Sequence, residues 1–174
     1  MEQQHRRWQT LLGRFDNILG RFTSGMLVTH AVQGTVRARP MVIARVDPEG
    51  NLWFVSRDDS DKVTEIAEDP RVGVTMQQGD SVFLSVSGTA RVVRDPILLA
   101  RMWDRELDTL YPEGRGDPRT VLIRVSVHEV EYWDRSGLKR WTFALDGLTA
   151  RLPGNSPAPV RDPRVERHGR FQLV

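Results

Sequence analysis

The fold is decided by residues 71–93, which read RVGVTMQQGDSVFLSVSGTARVV. From Ser81 onward apolar and small polar residues alternate, with Val82, Leu84 and Val86 on one face. A period of two residues is typical of a β-strand that buries one face. Residues 71–77 predict a second strand, and the turn at residues 78–80 is too short for a crossover helix. We therefore expect two antiparallel neighbours here.

Short turns also join the strands predicted on either side of this pair. Strands are predicted at residues 26–32, 36–46 and 51–56, which form a three-strand meander, and at 121–133, with 138–145 as a possible further strand. Helices are predicted at residues 60–68 and, after the cap Asp95, from Pro96 onward. The second helix should pack Ile97, Leu98, Met102, Leu107 and Leu110 against the sheet, with Trp103 alongside.

Because sequential strands are joined by short turns, an antiparallel barrel is favoured over a parallel sheet. The expected fold is mainly β (α+β), with six or seven strands and two or three flanking helices. Trp53 and Trp103 are expected to pack in a core or interface.

The two ends of the chain differ from its middle. Apolar residues recur at three- and four-residue spacing over residues 5–22, which predicts an amphipathic helix. Residues 148–174 place four prolines among arginines and predict an irregular arm. We expect one domain over residues 1–147, followed by the arm over 148–174.

Composition excludes several kinds of protein. The chain has 174 residues and no cysteine, so neither disulfides nor a thiolate metal site can form. The formal charge is only +2, and no stripe of cations with interleaved aromatics occurs, so no nucleic-acid partner is expected. No signal-peptide pattern and no apolar run of about 18 residues occurs. We expect a cytoplasmic protein without a membrane partner.

The sequence lacks the motifs of several large enzyme classes. It has no Gly-x-Ser-x-Gly elbow, Walker loop or Gly-x-Gly-x-x-Gly fingerprint. Its four histidines have no metal-ligand spacing, so no metal site is expected. Asp58, Asp59 and Asp61 could bind a cation, but such clusters in polar turns are more often solvated. No side chain stands out as a catalytic acid or base.

A phosphate site can be assembled around the start of the helix predicted at residues 60–68. A helix N-terminus offers unpaired N–H groups and a positive dipole, to which Ser60 would add a hydroxyl and Lys62 a full charge. Arg39, on the strand predicted at residues 36–46, would supply a second cation. The same three residues also occur together by chance, and a purely structural role stays open.

Five blocks of the sequence, taken in order, resemble the pyridoxamine 5'-phosphate oxidase-like flavin proteins and, within them, the bacterial general stress proteins. The blocks are Arg39-Pro40-Met41, Leu52-Trp53-Phe54-Val55-Ser56, Ser60-Asp61-Lys62-Val63, Val86-Ser87-Gly88-Thr89-Ala90 and Glu131-Tyr132-Trp133. The resemblance covers about residues 5–135. It implies an FMN-binding split barrel in which two subunits of a homodimer build each flavin site.

The resemblance also implies which residues bind FMN. Arg39 and Lys62 would hold the phosphate with help from Ser60. The backbone of Pro40, Met41 and Val42 would meet the polar edge of the ring, and Val55 and Ser56 would line the site. Trp133 would approach from the partner subunit, although from its pattern alone it would be a barrel-core aromatic.

Three features depart from the pattern of the family, the first from many of its members and the other two from its true oxidases. Asp61, with Asp58 and Asp59, places negative charge near the proposed phosphate site unless these side chains point to solvent. Phe83 occupies the place of a flavin-contacting glutamine. The chain after Trp133 lacks the Arg- and His-containing segment that grips pyridoxal phosphate, so vitamin B6 oxidation is not expected.

Three functions remain open on the sequence. The first is an FMN-dependent oxidoreductase with a small-molecule electron donor or acceptor. The second is a non-catalytic protein that binds or buffers flavin. The third is a β-barrel interaction module without a cofactor.

Overall fold

The structure is a computed structural model that describes residues 19–31, 34–134 and 167–172, the last range as backbone only. Its strands are β1 (Ser24–His30), β2 (Val36–Val46), β3 (Leu52–Arg57), β4 (Arg71–Gln78), β5 (Val82–Val93), β6 (Thr120–Asp134) and β7 (Arg167–Gln172). Its helices are α1 (Asp61–Glu68), α2 (Pro96–Met102) and α3 (Arg105–Leu110). In these ranges no helix has the length and apolar character needed to cross a membrane.

Six of the strands close into an antiparallel barrel. Their order is β3-β2-β1-β4-β5-β6, and β3 closes the barrel by pairing Leu52–Arg57 with residues 120–125 of β6. The far half of the long strand β6 extends beyond this closure and pairs with β5 on one side and β7 on the other. The predicted mainly β barrel with flanking helices is confirmed.

Most predicted elements are confirmed to within two residues. β2 has the predicted bounds, β4, β5 and α1 each differ by one residue at one end, and β3 is shifted by one residue at both ends. The turn at Asp47 forms because its carboxylate accepts hydrogen bonds from the backbone N–H groups of Glu49 and Asn51 at 3.1 and 2.8 Å. Gly50 completes the turn with φ of 83°.

The single helix predicted after Asp95 is wrong, because two short helices occur there. Asp95 caps α2 by accepting from the N–H groups of Ile97 and Leu98. Asp104 caps α3 in the same way and therefore starts a new helix. The packing prediction fails for Ile97 and Leu110, which are exposed, while Leu99 is buried instead.

The chain ends are described only in part. Leu19 and Phe22, from the helix predicted at residues 5–22, are buried in the barrel core. Residues 5–18 of that predicted helix and the strand predicted at 138–145 lie outside the described residues. The irregular arm predicted for 148–174 is wrong at Arg167–Gln172, which forms β7 beside β6. The open edge of β6 pairs with residues 167–172, and the local composition of these residues could not indicate this pairing.

The barrel has an inner core and an outer cluster. The inner core is built from one face of each strand, with Leu27, Phe54, Val74, Val86 and Val125 among its fully buried members. The outer cluster lies under α2 and α3 and contains Trp53, Val55, Leu99, Met102, Leu107 and Leu122, with Trp103 packed against it. Both tryptophans are thus packed as predicted.

Gly88 lies at a register shift between β5 and β6 where no side chain fits. A Cβ atom at this position would lie 2.2 Å from the carbonyl oxygen of Ser126. We expect Gly88→Ala to lower the free energy of unfolding by about 2 kcal/mol, as overpacking does. Gly73→Ala is the matched control, since its Cβ would lie 3.6 Å from Val28 Cβ, at ordinary contact distance. Urea denaturation of both variants is the measurement, and equal losses would contradict this explanation.

Candidate functional site

Polar side chains gather at the barrel end that α1 covers. Thr29, Arg39 and Ser56 each lie two residues along their strands from inner-core residues, which are Leu27, Met41 and Phe54 respectively. Because side chains two residues apart share a face, all three follow the inner face of the barrel to this end. α1 starts four residues after β3 and brings Lys62 and Glu65 against them.

Glu65 is the centre of the first part of this cluster. Its side chain is only 4% exposed, and its carboxylate accepts from Arg39 Nη2 at 2.8 Å and from Arg37 Nη1 at 3.2 Å. Thr29 Oγ1 donates to the same carboxylate at 2.5 Å and in turn accepts from Arg39 Nη1. Arg39 is therefore held in place by two partners on two other elements.

Lys62 forms the second part of the cluster. Its Nζ donates to Ser56 Oγ at 3.1 Å, and Ser56 Oγ lies 3.1 Å from Ser60 Oγ. Lys62 makes no ion pair with any residue in the described ranges. Ser60 is the N-cap residue of α1, but its hydroxyl donates to the carbonyl of Arg57 at 2.7 Å and does not cap the helix.

The pKa values of Lys62 and Glu65 are both lowered, but for different reasons. Burial lowers the pKa of Lys62, and the neighbouring positive charge of Arg39 lowers it further against the opposing effect of nearby carboxylates. Burial by itself would raise the pKa of Glu65, but hydrogen bonds from Thr29 and Arg39 outweigh it and lower the pKa. A half-buried ammonium beside a guanidinium is unfavourable until an anion binds.

Asp58, Asp59 and Asp61, which place negative charge near the proposed phosphate site, each form an ion pair with an arginine. Asp61 is 80% exposed and pairs with Arg37 at 2.9 Å. Asp59 pairs with Arg57 at 2.9 Å, and Asp58 pairs with Arg94. Since each of the three carboxylates is paired with an arginine, although Arg37 and Arg57 are shared with other carboxylates, their repulsion of an anion at Lys62 is weakened. No cluster of three metal-ligating side chains occurs in the described part of the chain.

The remaining site residues on β2 and β3 are divided between faces. Pro40 is exposed, Val42 is half-buried, and the Met41 side chain belongs to the inner core. Val55 faces α2 and α3, on the opposite side of β3 from Ser56, and its carbonyl accepts from Tyr111 Oη at 2.6 Å. The structure thus brings together Arg39, Ser56, Ser60 and Lys62.

Trp133 lies far from this cluster within one chain. It pairs with Phe83, near the end of β6. Ser56 pairs with Val121, at the start of the same strand. From Val121 to Trp133 the strand advances twelve steps, which would span about 40 Å in a straight strand at roughly 3.3 Å per step. Within one chain, Trp133 and the Ser56 partner Val121 therefore lie near opposite ends of β6.

Sequence reasoning missed Thr29 and Glu65. Thr29 lies in a largely apolar strand, and no sequence motif identifies it as a polar partner. Glu65 follows Lys62 by three residues, a spacing typical of exposed ion pairs on helices. The available signal was the pair Arg37 and Arg39, which share a strand face and need a counter-ion once partly buried.

Comparison with known proteins agrees with this architecture. The general stress FMN/FAD binding protein of Xanthomonas citri has a TM-score of 0.63 and 26% identity, covering 79% of this chain and 98% of that one. The general stress protein 26 of Bacillus anthracis has a TM-score of 0.62 and 23% identity, covering 70% and 92%. A pyridoxamine 5'-phosphate oxidase-related, FMN binding protein of Nostoc punctiforme has a TM-score of 0.55 and 16% identity, covering 72% and 84%.

Sequence comparison gives the family. None of the proteins with curated descriptions matches the chain. The model of the family described as "Pyridoxamine 5'-phosphate oxidase like" matches residues 12–158. That range includes the barrel strands β1 to β6 and the polar cluster under α1. The chain belongs to the pyridoxamine 5'-phosphate oxidase-like family.

Proposed function

We propose that this protein binds a flavin, specifically FMN, with the phosphate held between Arg39 and Lys62. The observation that carries the proposal is Lys62, a half-buried ammonium beside Arg39 that has a hydroxyl partner and, among the described residues, no ion pair with a carboxylate. A phosphate dianion would supply the missing charge and accept hydrogen bonds from both cations. The uncapped N-terminus of α1 adds backbone N–H donors at the same place.

Two comparisons support a flavin as the ligand. The Xanthomonas citri protein is named as an FMN/FAD binding protein, and the Nostoc punctiforme protein as an FMN binding protein. FMN is preferred here because its terminal phosphate dianion would match the two neighbouring cations, Arg39 and Lys62. Ser56 and Ser60 would complete the phosphate site through their hydroxyl groups.

The isoalloxazine ring would lie along β2 beyond Arg39. The backbone of Pro40, Met41 and Val42 would face its polar edge, and the Met41 side chain would fix the strand by its place in the core. We propose that Trp133 of a second copy covers the ring, because within one chain it lies at the far end of β6. The site would then require a homodimer.

When bound, the flavin would supply the electron chemistry of an oxidoreductase that uses a small-molecule electron donor or acceptor. The chain's own residues would bind and orient it. We place this activity in the cytoplasm, as expected from the sequence.

A non-catalytic flavin carrier is the second candidate function. In the described cluster the carboxylate of Glu65 has a lowered pKa and is already bonded to Thr29 and Arg39, so it holds no proton at neutral pH. Since Glu65 cannot donate a proton, the described cluster offers no carboxylic acid for flavin chemistry. The protein would then bind and store flavin without catalysing a reaction.

We expect the protein to become yellow when it is loaded with FMN. After incubation with FMN and removal of the excess, we expect the visible absorption bands of flavin at about one per chain. A colourless protein would exclude flavin binding and favour the cofactor-free interaction module. If flavin is retained, oxidation of reduced nicotinamides above the rate of free FMN would distinguish the oxidoreductase from the carrier.

A further inference from the structure

A row of three arginines crosses the outer face of the barrel, away from the cluster under α1. Arg45 on β2 pairs with Trp53 on β3, Trp53 pairs with Arg124 on β6, and Arg124 pairs with Arg91 on β5. Directly paired residues of antiparallel strands point to the same side of the sheet. Trp53 belongs to the outer cluster, so this whole arginine row faces outward.

The charges of the arginine row are not balanced by the protein. None of the three arginines forms an ion pair within the described part of the chain, whereas Arg37, Arg57, Arg71, Arg94 and Arg119 all do. Like charges in directly opposed positions of a sheet are destabilising. A row of this kind is therefore more favourable when an anion binds it.

Arg124, at the middle of the row, is fixed and incompletely bonded. Its guanidinium carbon lies 5.8 Å from the ring centroid of Trp53, and its buried Nε has no hydrogen-bond partner among the residues that the structure describes. The indole is itself held in place, since Trp53 Nε1 donates to Asp47 Oδ2 at 2.8 Å.

One carboxylate, that of Asp47, interacts electrostatically with Arg124. Burial would raise the pKa of Asp47, but hydrogen bonds from Trp53 and Asn51, with the charge of Arg124, lower it. Its two oxygens are already occupied by Asn51, Trp53 and the N–H of Glu49. Asp47 therefore offsets part of the charge of Arg124, but it forms no ion pair with any of the three arginines in the described part of the chain.

The shape of the row selects among anions. Three interstrand spacings of about 4.8 Å place Arg45 and Arg91 roughly 14 Å apart, so their flexible side chains can converge on one elongated anion. A single carboxylate would engage one arginine, whereas a chain of linked phosphates can engage all three with bidentate hydrogen bonds. Single-stranded nucleic acid fits poorly, because Trp53 is only 6% exposed and cannot stack with a base.

We propose that Arg45, Arg91 and Arg124 form a second anion site that binds the polyphosphate group of a small molecule. The site is separate from the Arg39 and Lys62 cluster, because it lies on the outer face of β3 and β6 and not on the inner face. It does not depend on flavin binding.

The test is isothermal titration of the full chain with inorganic tripolyphosphate, at constant ionic strength and with FMN in excess. We expect saturable binding, weakened at least tenfold by Arg91→Gln and by Arg124→Gln. Arg45→Gln should weaken it as well, and since Arg45 and Arg91 are exposed, neither change should affect folding. Arg124→Lys, which keeps the charge without the fork of N–H donors, should give an intermediate loss.

Two controls make the outcome decisive. Arg71→Gln removes the same charge from an arginine already paired with Asp69 at 2.6 Å, and it should leave the affinity within about twofold. Lys62→Ala should also leave it unchanged. Absence of binding, equal losses in Arg71→Gln and Arg91→Gln, or loss of binding in Lys62→Ala would each overturn the proposal.

Discussion

Glu65→Ala is expected to lower the free energy of unfolding by about 3 kcal/mol, the scale for breaking one side of a buried ion pair. The variant leaves Arg39, which is 19% exposed, without its carboxylate partner. It also removes the acceptor of the buried Thr29 hydroxyl. The loss should therefore exceed that of an ordinary surface ion pair, and urea denaturation at pH 7 would measure it.

The pH dependence of stability gives a second signature of Glu65. In the folded protein its pKa lies below the ordinary glutamate value of 4.5, so the unfolded chain binds the proton more tightly. The stabilisation is fully present above pH 4.5 and is lost as the pH falls through the folded-state pKa. Glu65→Gln, which cannot titrate, should show a shallower loss of stability in this acid range.

Asp61→Asn is the matched control for both measurements. Asp61 lies on the same helix and also pairs with Arg37, but its side chain is 80% exposed. Exposed pairs of this kind contribute about 0–1 kcal/mol. If Asp61→Asn and Glu65→Ala cost the same, the buried network would not be the source of the stability.

The predictability of the fold follows from the range of the interactions that form each element. β5 was predictable because alternation is a local property, and the meander of β1 to β3 because its turns are short. The break between α2 and α3 was also encoded locally, in the cap Asp104, but the apolar residues on either side hid it. β7 depends on an open edge of β6 that is distant in sequence, which no local pattern could reveal.

The residues of the candidate site could likewise be predicted only where they are close in sequence. Arg39, Ser60 and Lys62 could be grouped because a strand, a short loop and a helix start bring them together within a small part of the sequence. Glu65 could not be assigned, because its burial depends on Arg37 and Arg39, which lie 28 and 26 residues earlier. The consequence is chemical, since within the described ranges Arg39 has a carboxylate partner and Lys62 forms no ion pair.

Arg39→Ala and Lys62→Ala are each expected to weaken FMN binding by at least about 1.5 kcal/mol, or roughly tenfold, the scale of one charge-assisted hydrogen bond. Arg39→Ala should cost more, because it also leaves the Glu65 carboxylate facing the phosphate without its main counter-ion. The double variant should lose about a hundredfold or more. Fluorescence titration of FMN into folded protein is the measurement.

Riboflavin separates a phosphate contact from a general effect on the site, since it carries the same ring without the phosphate. Its affinity should be unchanged in Lys62→Ala, while Arg71→Ala should leave both ligands unaffected because Arg71 is exposed and paired with Asp69. Equal losses for riboflavin and FMN would place Lys62 outside the phosphate site. Unchanged FMN affinity in both single variants would contradict the proposed function, because the proposal rests on contacts of Arg39 and Lys62 with the phosphate.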